Sequence, residues 1–315
     1  MQFVKFIIML CVQLATKSLD VAPMWDTIVY NAGFIVIRPT PLGIQLYLTI
    51  RQMTQEPKTL DDQVALNRAI KKLKRENATF RMHVLNRHSF LSGCGYFEHS
   101  GRLLPKDNDC NPSKTQNCPI VVHNNWIVSK NAKIYRFREH LMWMYDGNDN
   151  YYSSETRNYL IYTNSKSPEA TASGQLTAFK TALTIGHLLN RVVILPRFLC
   201  GQSKECPLNS LIRISKLESY FKDKFRESSF LRHPKVPEAV KRDFHNGEKA
   251  MRRSLASDVR ITSRELMKMF RNITARVLNV GSLFRVLIIF DDKSKGEAFN
   301  QNLQNGIRRA SYRQY

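Results

Sequence analysis

The segment Gly174–Pro196, GQLTAFKTALTIGHLLNRVVILP, decides the fold class of this 315-residue chain. Its apolar residues, beginning with Leu176 and Phe179, recur with helical spacing, and VVILP then has the composition of a buried strand. A strand-like run, NYLIYTNS (Asn158–Ser165), precedes it, and SLFRVLIIFDDK (Ser282–Lys293) repeats the buried-strand pattern later. This strand–helix–strand order predicts an α/β fold, with a parallel sheet covered by helices.

The length of the chain favours two domains over one. The segment DGNDNYYSSETRN (Asp146–Asn158) is polar and turn-rich, and it is the best candidate boundary. At the N-terminus, Lys5 precedes an apolar run from Phe6 to Ala15 that has the length of a signal-peptide core. A signal peptide or signal anchor is therefore expected over residues 1–20, with a buried first strand as the alternative, and domains over residues 21–147 and 157–315.

Composition and charge indicate a globular protein with anionic partners. Hydrophobic residues make up 43% of the chain and charged residues 23%, which excludes a disordered chain. The net charge of +22 favours nucleic acid, acidic membranes, phosphate-bearing small molecules or acidic glycans. A zinc-finger spacing and an aromatic RNA-binding signature are both absent, so a basic nucleic-acid-binding protein is a minor alternative.

The cysteines indicate the secretory pathway. Cys110–Cys118 and Cys200–Cys206 each bracket a short polar loop, which suits disulfides better than zinc ligands, and Cys94 lies outside both pairs. Two glycosylation sequons, at Asn77 and Asn272, agree with a luminal location.

A first candidate site is NAGFIVIRPT, Asn31–Thr40, where an apolar β-branched strand leaves a turn and stops at Arg-Pro. Gly33 permits close backbone approach, and Asn31 could hydrogen-bond a sugar hydroxyl or the surroundings of a phosphate. The alternative is a turn asparagine and a packing glycine.

A second candidate site begins a helix at TLDDQVALNRAIKKLKREN, Thr59–Asn77, after an earlier helix that starts near Pro41. Thr59 or Asp61 can cap it. Capping by Asp61 leaves Asp62 and Gln63 for binding, and a carboxylate there could orient or deprotonate an acceptor hydroxyl.

A third candidate site is VVHNNWIVSKNAK, Val121–Lys133, in which His123 follows a short buried strand. An imidazole can ligate a divalent metal ion, and Lys130 and Lys133 could neutralise phosphates. The alternative is a structural histidine. A closing helix, NAKIYRFREHLMWMY, follows.

In this order and spacing, the three sites resemble the nucleotide-diphospho-sugar transferase domain family, which has a GT-A-type fold and includes plant pectin xylosyltransferases. The resemblance covers roughly Trp25–Tyr145 and implies transfer of a sugar from a nucleotide diphosphate to an acceptor hydroxyl, usually with manganese. It also implies that the strand carrying Asn31 lies beside the donor pocket with Asn31 facing it, and that a glycan or glycoprotein is the acceptor.

The resemblance implies a role for each remaining candidate. Asp62 and Gln63 would face the acceptor, His123 would complete the metal shell, and Lys130 or Lys133 would approach the diphosphate.

The chain departs from the family pattern before Asn31. The family carries an Asp-x-Asp motif upstream of this position, whereas here only Asp20 and Asp26 precede it. Either the transferase domain is N-terminally incomplete or metal-dependent activity is lost, so enzyme activity is left open.

The second half resembles O-fucosyltransferase-like proteins more faintly, through SGQLTAFKTALTIGHLLNRVVILPRFLC. Gly174 and Gln175 begin its helix, whose free amides could hold a phosphate; the alternative is an ordinary glycine before a core helix. Further on, the Arg226–Glu227 pair in FRESSFLRHP (Phe225–Pro234) could bind a ligand, but it is interpreted as a solvated ion pair.

The sequence thus predicts an α/β protein in which a partial GT-A-like domain precedes a second, Rossmann-like α/β domain. The expected function is glycosyl transfer in the Golgi lumen or membrane, with membrane association through the N-terminus. The alternative is a degenerate transferase that binds glycans or acts as a scaffold.

Overall fold

A computed structural model describes residues 18–55, 60–98, 119–164, 171–200, 204–252 and 259–307. The chain forms two compact units, Met1–Val128 and Ser129–Tyr315. The predicted boundary at Asp146–Asn158 instead falls inside the second unit, because Tyr151 and Tyr152 are buried in the core of that unit. Because these two tyrosines are surrounded by polar residues in the sequence, the sequence pattern did not indicate that they are buried.

The first unit combines an antiparallel strand pair, a parallel strand pair and two long helices. Its elements are β1 (Val21–Trp25), β2 (Tyr30–Ile37), α1 (Pro41–Gln55), α2 (Asp62–Glu76), β3 (Phe90–Ser92), a π-helical turn (Cys94–Glu98) and β4 (Val121–His123).

The pairing of β1 and β2 contains a bulge. Pro23 pairs with Ile35 but the next residue, Met24, pairs with Asn31, so three residues of β2 are left unpaired in the middle of the ribbon. The bulge reverses the side-chain alternation along β2, and Ala32 and Phe34 consequently pack on opposite faces.

The two faces of this ribbon bury different partners. One face packs against α1 and α2 in a cluster that includes Val21, Leu46 and Ile70. The other packs against β3 and β4 through Met24 and Phe90.

Both helices begin where the sequence predicts them, and Asp61 caps α2 by accepting a hydrogen bond from the Gln63 amide, which contributes about 1 kcal/mol in typical proteins.

The second unit is built on a five-stranded sheet. Its helices are α3 (Lys130–Glu139), α4 (Ala172–Leu188), α5 (Ile214–Phe221), α6 (Glu238–Arg242), α7 (Glu248–Arg252), α8 (Ser263–Phe270) and α9 (Lys293–Gly306). Its strands are β5 (Tyr159–Thr163), β6 (Val192–Ile194), β7 (Phe198–Cys200), β8 (Lys204–Cys206), β9 (Phe225–Arg226), β10 (Phe244–Asn246), β11 (Val259–Thr262), β12 (Val277–Ser282) and β13 (Val286–Ile289), with 3-10 turns at Leu208–Ser210 and Phe230–Arg232.

The five strands are parallel and lie in the order β10–β12–β5–β6–β9. The chain runs outward from β5 through β6 to β9, and then crosses to the other side of β5 for β10 and β12. Because the strand order reverses at β5, the carboxyl ends of these strands form the edge where open α/β sheets place ligands. The predicted α/β class, with a parallel sheet and covering helices, is confirmed.

One buried arginine ties three strands together at the opposite edge of this sheet. Arg191 precedes β6, is 7% exposed, and donates hydrogen bonds from Nη1 to the carbonyl oxygens of Tyr159 and Arg276, at 3.2 Å each. It also reaches the carbonyls of Ala275 and Ile273, at 2.8 and 3.0 Å. A single guanidinium therefore donates hydrogen bonds to the carbonyl of the first residue of β5 and to carbonyls of the segment that precedes β12.

Two predictions about the second unit have different outcomes. The Cys200–Cys206 disulfide is confirmed and joins β7 to β8. The fully buried strand predicted in SLFRVLIIFDDK is only half buried as β13, because it pairs with β11 in a separate two-stranded sheet and leaves Leu287 54% exposed.

The predicted signal segment lies largely, and the Cys110–Cys118 loop wholly, outside the described residues. Within the described residues, no helix has the length and apolarity needed to cross a bilayer.

Candidate functional site

The turn between β1 and β2 is organised by one buried carboxylate. Asp26 is 2% exposed, and its Oδ2 accepts hydrogen bonds from the side-chain amides of Asn31, at 2.8 Å, and Asn125, at 2.7 Å. Its Oδ1 accepts from the indole of Trp126 at 2.7 Å and from the Thr27 amide at 2.9 Å. Four donors stabilise the ionised carboxylate and fix the turn against the segment after β4.

Asn31 takes a structural position in this network. It is 1% exposed, its Nδ2 donates to Asp26, and its Oδ1 accepts from the Gly33 amide at 2.7 Å. Both ends of the side-chain amide are thus engaged inside the first unit. This matches the alternative of a turn asparagine, and the predicted contact with the donor has no support from the geometry.

Gly33 and His123 are brought together. A Cβ built on Gly33 would stand 2.2 Å from both Cε1 and Nε2 of the His123 ring, so only glycine leaves room for the imidazole. The close approach expected at Gly33 therefore occurs, and the group that approaches is a side chain of the same unit.

The start of α2 borders an open cavity of about 370 Å³. Asp62 is exposed, and its Oδ1 accepts from the Gln63 amide at 2.7 Å. Asn67, one turn later, binds the backbone of β2 through both its oxygen and its nitrogen at Tyr30. The cavity is lined by Val29, Asp61, Gln63, Val64, Asn67, Arg68 and Lys71.

The predicted acceptor residues and the predicted metal ligand lie on different sides of the ribbon. Helix α2 packs against one face of the β1–β2 ribbon and β4 packs against the other. Gln63 lines the cavity beside α2, and His123 is not among the lining residues. Asp62, at the start of α2, and His123, at the end of β4, therefore do not converge on one cleft, because the two elements pack on opposite faces of the ribbon. Asp62, like His123, is not among the residues that line the cavity.

The surroundings of His123 do not supply a metal-ligand set. Within the described ranges, no group of three or more His, Cys, Asp or Glu side chains is placed to hold a metal ion. The carboxylate of Asp26 already accepts four hydrogen bonds. Manganese binding at His123 stays a prediction.

Comparison with known proteins identifies the first part of the chain. Residues 11–137 match the family model described as nucleotide-diphospho-sugar transferase. The predicted resemblance to this family is confirmed over that segment, which covers less than half of the chain. No curated protein and no solved structure matches the chain. The finer likeness to plant pectin xylosyltransferases, and the likeness of the second half to O-fucosyltransferase-like proteins, stay predictions.

The transferase match extends into α3 of the second unit, where the two predicted phosphate-binding lysines lie. Lys130 is exposed at the first position of α3, and Lys133 follows one turn later. Ser129 caps this helix by accepting a hydrogen bond from the Ala132 amide at 3.2 Å. Contact of either lysine with a donor diphosphate stays a prediction.

Gly174 and Gln175 take structural positions outside the transferase match. The Gly174 amide donates to the Thr171 hydroxyl at 3.1 Å, so a cap uses the amide expected to hold a phosphate. Gln175 is fully buried; its Nε2 donates to the carbonyl of Leu199 and its Oε1 accepts from the amide of Leu199, both at 2.8 Å. The Gln175 side chain thus bonds to the backbone of β7 in the same way as the backbone of a neighbouring strand would. The predicted phosphate contact is therefore not supported.

The sequence interpretation missed a buried charged cluster in the second unit. Arg226 and Glu227, expected to be a solvated pair, are each 0% exposed. The available signal was their position directly after the apolar Phe225, at the end of a short strand. The aromatic rings of Tyr151, much earlier in the chain, and of Phe230, shortly after the pair, lie next to Arg226. The burial that these rings produce could not be predicted from the position of the pair in the strand.

Proposed function

We propose that this chain transfers a sugar from a nucleotide-diphosphate donor to an acceptor hydroxyl. The observation that carries the proposal is the match of residues 11–137 to the nucleotide-diphospho-sugar transferase family. That family implies a nucleotide-sugar donor and an acceptor. The open cavity at the start of α2 supports the proposal, because it lies within the matched segment.

The side chains around the cavity suit a sugar. Val29 and Val64 offer an apolar surface for the C–H face of a pyranose ring, and the Gln63 amide offers both a donor and an acceptor to ring hydroxyls. Arg68 and Lys71 give the rim a positive charge, which attracts phosphates or acidic sugars. The acceptor proposed here is a glycan or the glycan of a glycoprotein.

The proposed reaction is a substitution at the anomeric carbon. The acceptor oxygen attacks that carbon, the bond from the carbon to the diphosphate oxygen breaks, and the diphosphate leaves with the bonding electrons. Asp62 would take the hydroxyl proton, and Gln63 would orient the acceptor. Both residues stand at the start of α2 and do not belong to the core, so they can serve binding without disturbing the fold.

The decisive experiment measures release of nucleoside diphosphate by the full chain from a panel of nucleotide sugars, with and without manganese. Gln63→Ala should lower turnover about tenfold or more, as loss of a positioning contact does. Gln52→Ala, an exposed glutamine of α1, should leave it unchanged. Absence of release from every donor, by a chain with an intact circular-dichroism spectrum, would overturn transfer.

A second candidate is a degenerate transferase that binds glycans or nucleotide sugars without turnover. The four hydrogen bonds to the Asp26 carboxylate favour it, because they commit this buried carboxylate of the matched segment to a structural role. Saturable binding of a nucleotide sugar or glycan, with no diphosphate release, would select this candidate.

We also propose that the protein works in the secretory pathway, in the Golgi lumen or at its membrane. The Cys200–Cys206 disulfide supports an oxidising compartment. Expression with and without residues 1–20, followed by fractionation, tests both the compartment and the membrane association proposed for the N-terminus.

A further inference from the structure

The second unit buries two charged side chains at the carboxyl edge of its sheet. Arg226 ends β9, Glu227 follows it, and neither has any exposed surface. Burying a charge without a compensating partner is strongly unfavourable, because the charge loses its hydration. Such a position therefore requires an explanation in terms of partners.

The guanidinium of Arg226 has fewer protein partners than its donors need. Its Nη1 donates to the carbonyl of Phe225 at 2.8 Å, and Nη2 stands 4.0 Å from Oδ1 of Asp223, beyond hydrogen-bond distance. In the part of the chain that the structure describes, Nε and Nη2 have no hydrogen-bond partner. Two donors of a fully buried cation are thus left over.

A second arginine stacks on the same aromatic ring as the first. The guanidinium carbons of Arg138 and Arg226 lie 3.4 and 4.0 Å from the ring centre of Tyr151. The Nε of Arg138 also has no hydrogen-bond partner among the described residues. The tyrosine ring stabilises both cations but offers no acceptor to their remaining N–H groups.

Glu227 is the third charged side chain of this cluster, and it interacts electrostatically with both arginines. Its Oε2 accepts a hydrogen bond from the Tyr151 hydroxyl at 2.7 Å, and its Oε1 has no partner in the described residues. Burial is the main reason that the pKa of Glu227 is raised, and the two arginines oppose that shift.

We propose that Arg226, together with Arg138, forms a binding site for an oxyanion, meaning a phosphate, sulfate or carboxylate group. The unpartnered Nε and Nη2 groups of Arg226 match the paired oxygens of such a group, and the Nε of Arg138 adds a further donor. The site also stands at the sheet edge where parallel α/β folds bind ligands. It lies wholly in the second unit, so it does not rest on the transferase proposed above.

Thermal unfolding and calorimetric titration of the full chain test the site, at constant ionic strength balanced with chloride. Sodium phosphate and sodium sulfate should raise the melting temperature saturably, and acetate should do so more weakly. Arg226→Lys and Arg138→Gln should each weaken the affinity about tenfold or more. Arg242→Gln, whose side chain is 84% exposed, is the matched control and should keep the full response.

Further titrations separate the two sources of phosphate. Tighter binding of UDP or GDP than of inorganic phosphate assigns the oxyanion to a nucleotide diphosphate. Equal or weaker nucleotide binding assigns it to a free anion. Either result supports the site.

Hydrogen exchange on the unmodified chain locates the response, including the case in which neither arginine variant folds. Peptides that contain Tyr151 and residues 225–232 should gain protection with phosphate. The proposal is overturned if phosphate and sulfate act no more strongly than chloride, if protection appears elsewhere, or if folded Arg226→Lys and Arg138→Gln chains respond as the unmodified chain does.

Discussion

The imidazole of His123 occupies the space that a side chain at Gly33 would need. A Cβ at position 33 would lie 2.2 Å from two atoms of the ring, well inside contact distance. A strand of the β1–β2 ribbon and the end of β4 are thus fitted to each other at one residue pair. The pair explains why the β2 sequence carries a glycine between apolar residues.

The first prediction concerns this pair. Gly33→Ala should reduce the free energy of unfolding by about 1–3 kcal/mol, because the ring must move or the ribbon must shift. In a His123→Ala background, the same change should reduce it far less. A double-mutant cycle by urea unfolding measures the difference. Equal effects in both backgrounds would show that the ring does not limit position 33.

The second prediction concerns the carboxylate of Asp26. Asp26→Asn should lower the free energy of unfolding by roughly 2–3 kcal/mol, because an amide nitrogen would face donors that now meet a charged oxygen. Urea unfolding followed by tryptophan fluorescence measures it. Asp62→Asn, at an exposed position, should change the value by less than about 1 kcal/mol. Similar effects of the two substitutions would argue against the buried network.

The third prediction concerns Glu139, which lies near the end of α3. Burial is the main reason that the pKa of Glu139 rises from 4.5 to about 8. Between these values the folded chain holds a proton that the unfolded chain has lost, so this group lowers stability as pH rises from about 4.5 to 8. Glu139→Gln should reduce the decline, measured by melting temperature between pH 5 and 9, and leave the part due to other buried carboxyl groups such as Glu227.

The control for this pH effect is Glu238→Gln in the same unit. Glu238 is exposed, and its pKa is lowered by its hydrogen bond with Lys241. Its contribution to stability therefore changes with pH only below the pH range of the experiment. The Glu238→Gln chain should keep the decline. A Glu139→Gln chain that declines as steeply as the unmodified chain would contradict the assignment.

The fourth prediction concerns the two sequons. Asn272 is exposed after the end of α8, whereas Asn77 is partly buried and its backbone N–H donates to the carbonyl of Leu73 at the end of α2. In a chain passed through a secretory system, Asn272 should be glycosylated and Asn77 much less. Thr274→Ala should remove the endoglycosidase-sensitive shift on a gel, and Thr79→Ala should leave it. A shift that survives Thr274→Ala would reverse the assignment.

Sequence periodicity was sufficient for the helices and the sheet class. The apolar spacing of α2 and α4 and the capping position of Asp61 depend on residues close together in the chain, so they are readable from the sequence. The strand–helix–strand order likewise predicted the parallel sheet. Such patterns predict helices and strands well, because both depend largely on interactions between residues that are close together in the chain.

The roles of the polar residues could not be predicted in the same way. Asn31 bonds to Asp26, whose carboxylate also binds Asn125 from far along the chain. The bulge in β2 reversed the side-chain alternation along the strand, and α2 and β4 pack on opposite faces of the ribbon. Contacts of this kind depend on tertiary packing, which leaves no periodic mark in the sequence.

The guanidinium of Arg191 has a consequence for the cooperativity of unfolding. It bonds carbonyls at the starts of two neighbouring strands while standing on the connection to a third. Opening around β12 would remove the carbonyls of Ile273, Ala275 and Arg276, and opening of β5 would remove that of Tyr159, so either event leaves this buried cation with fewer acceptors. The amides of the three strands are therefore expected to exchange with solvent in one shared opening event, at a common free energy.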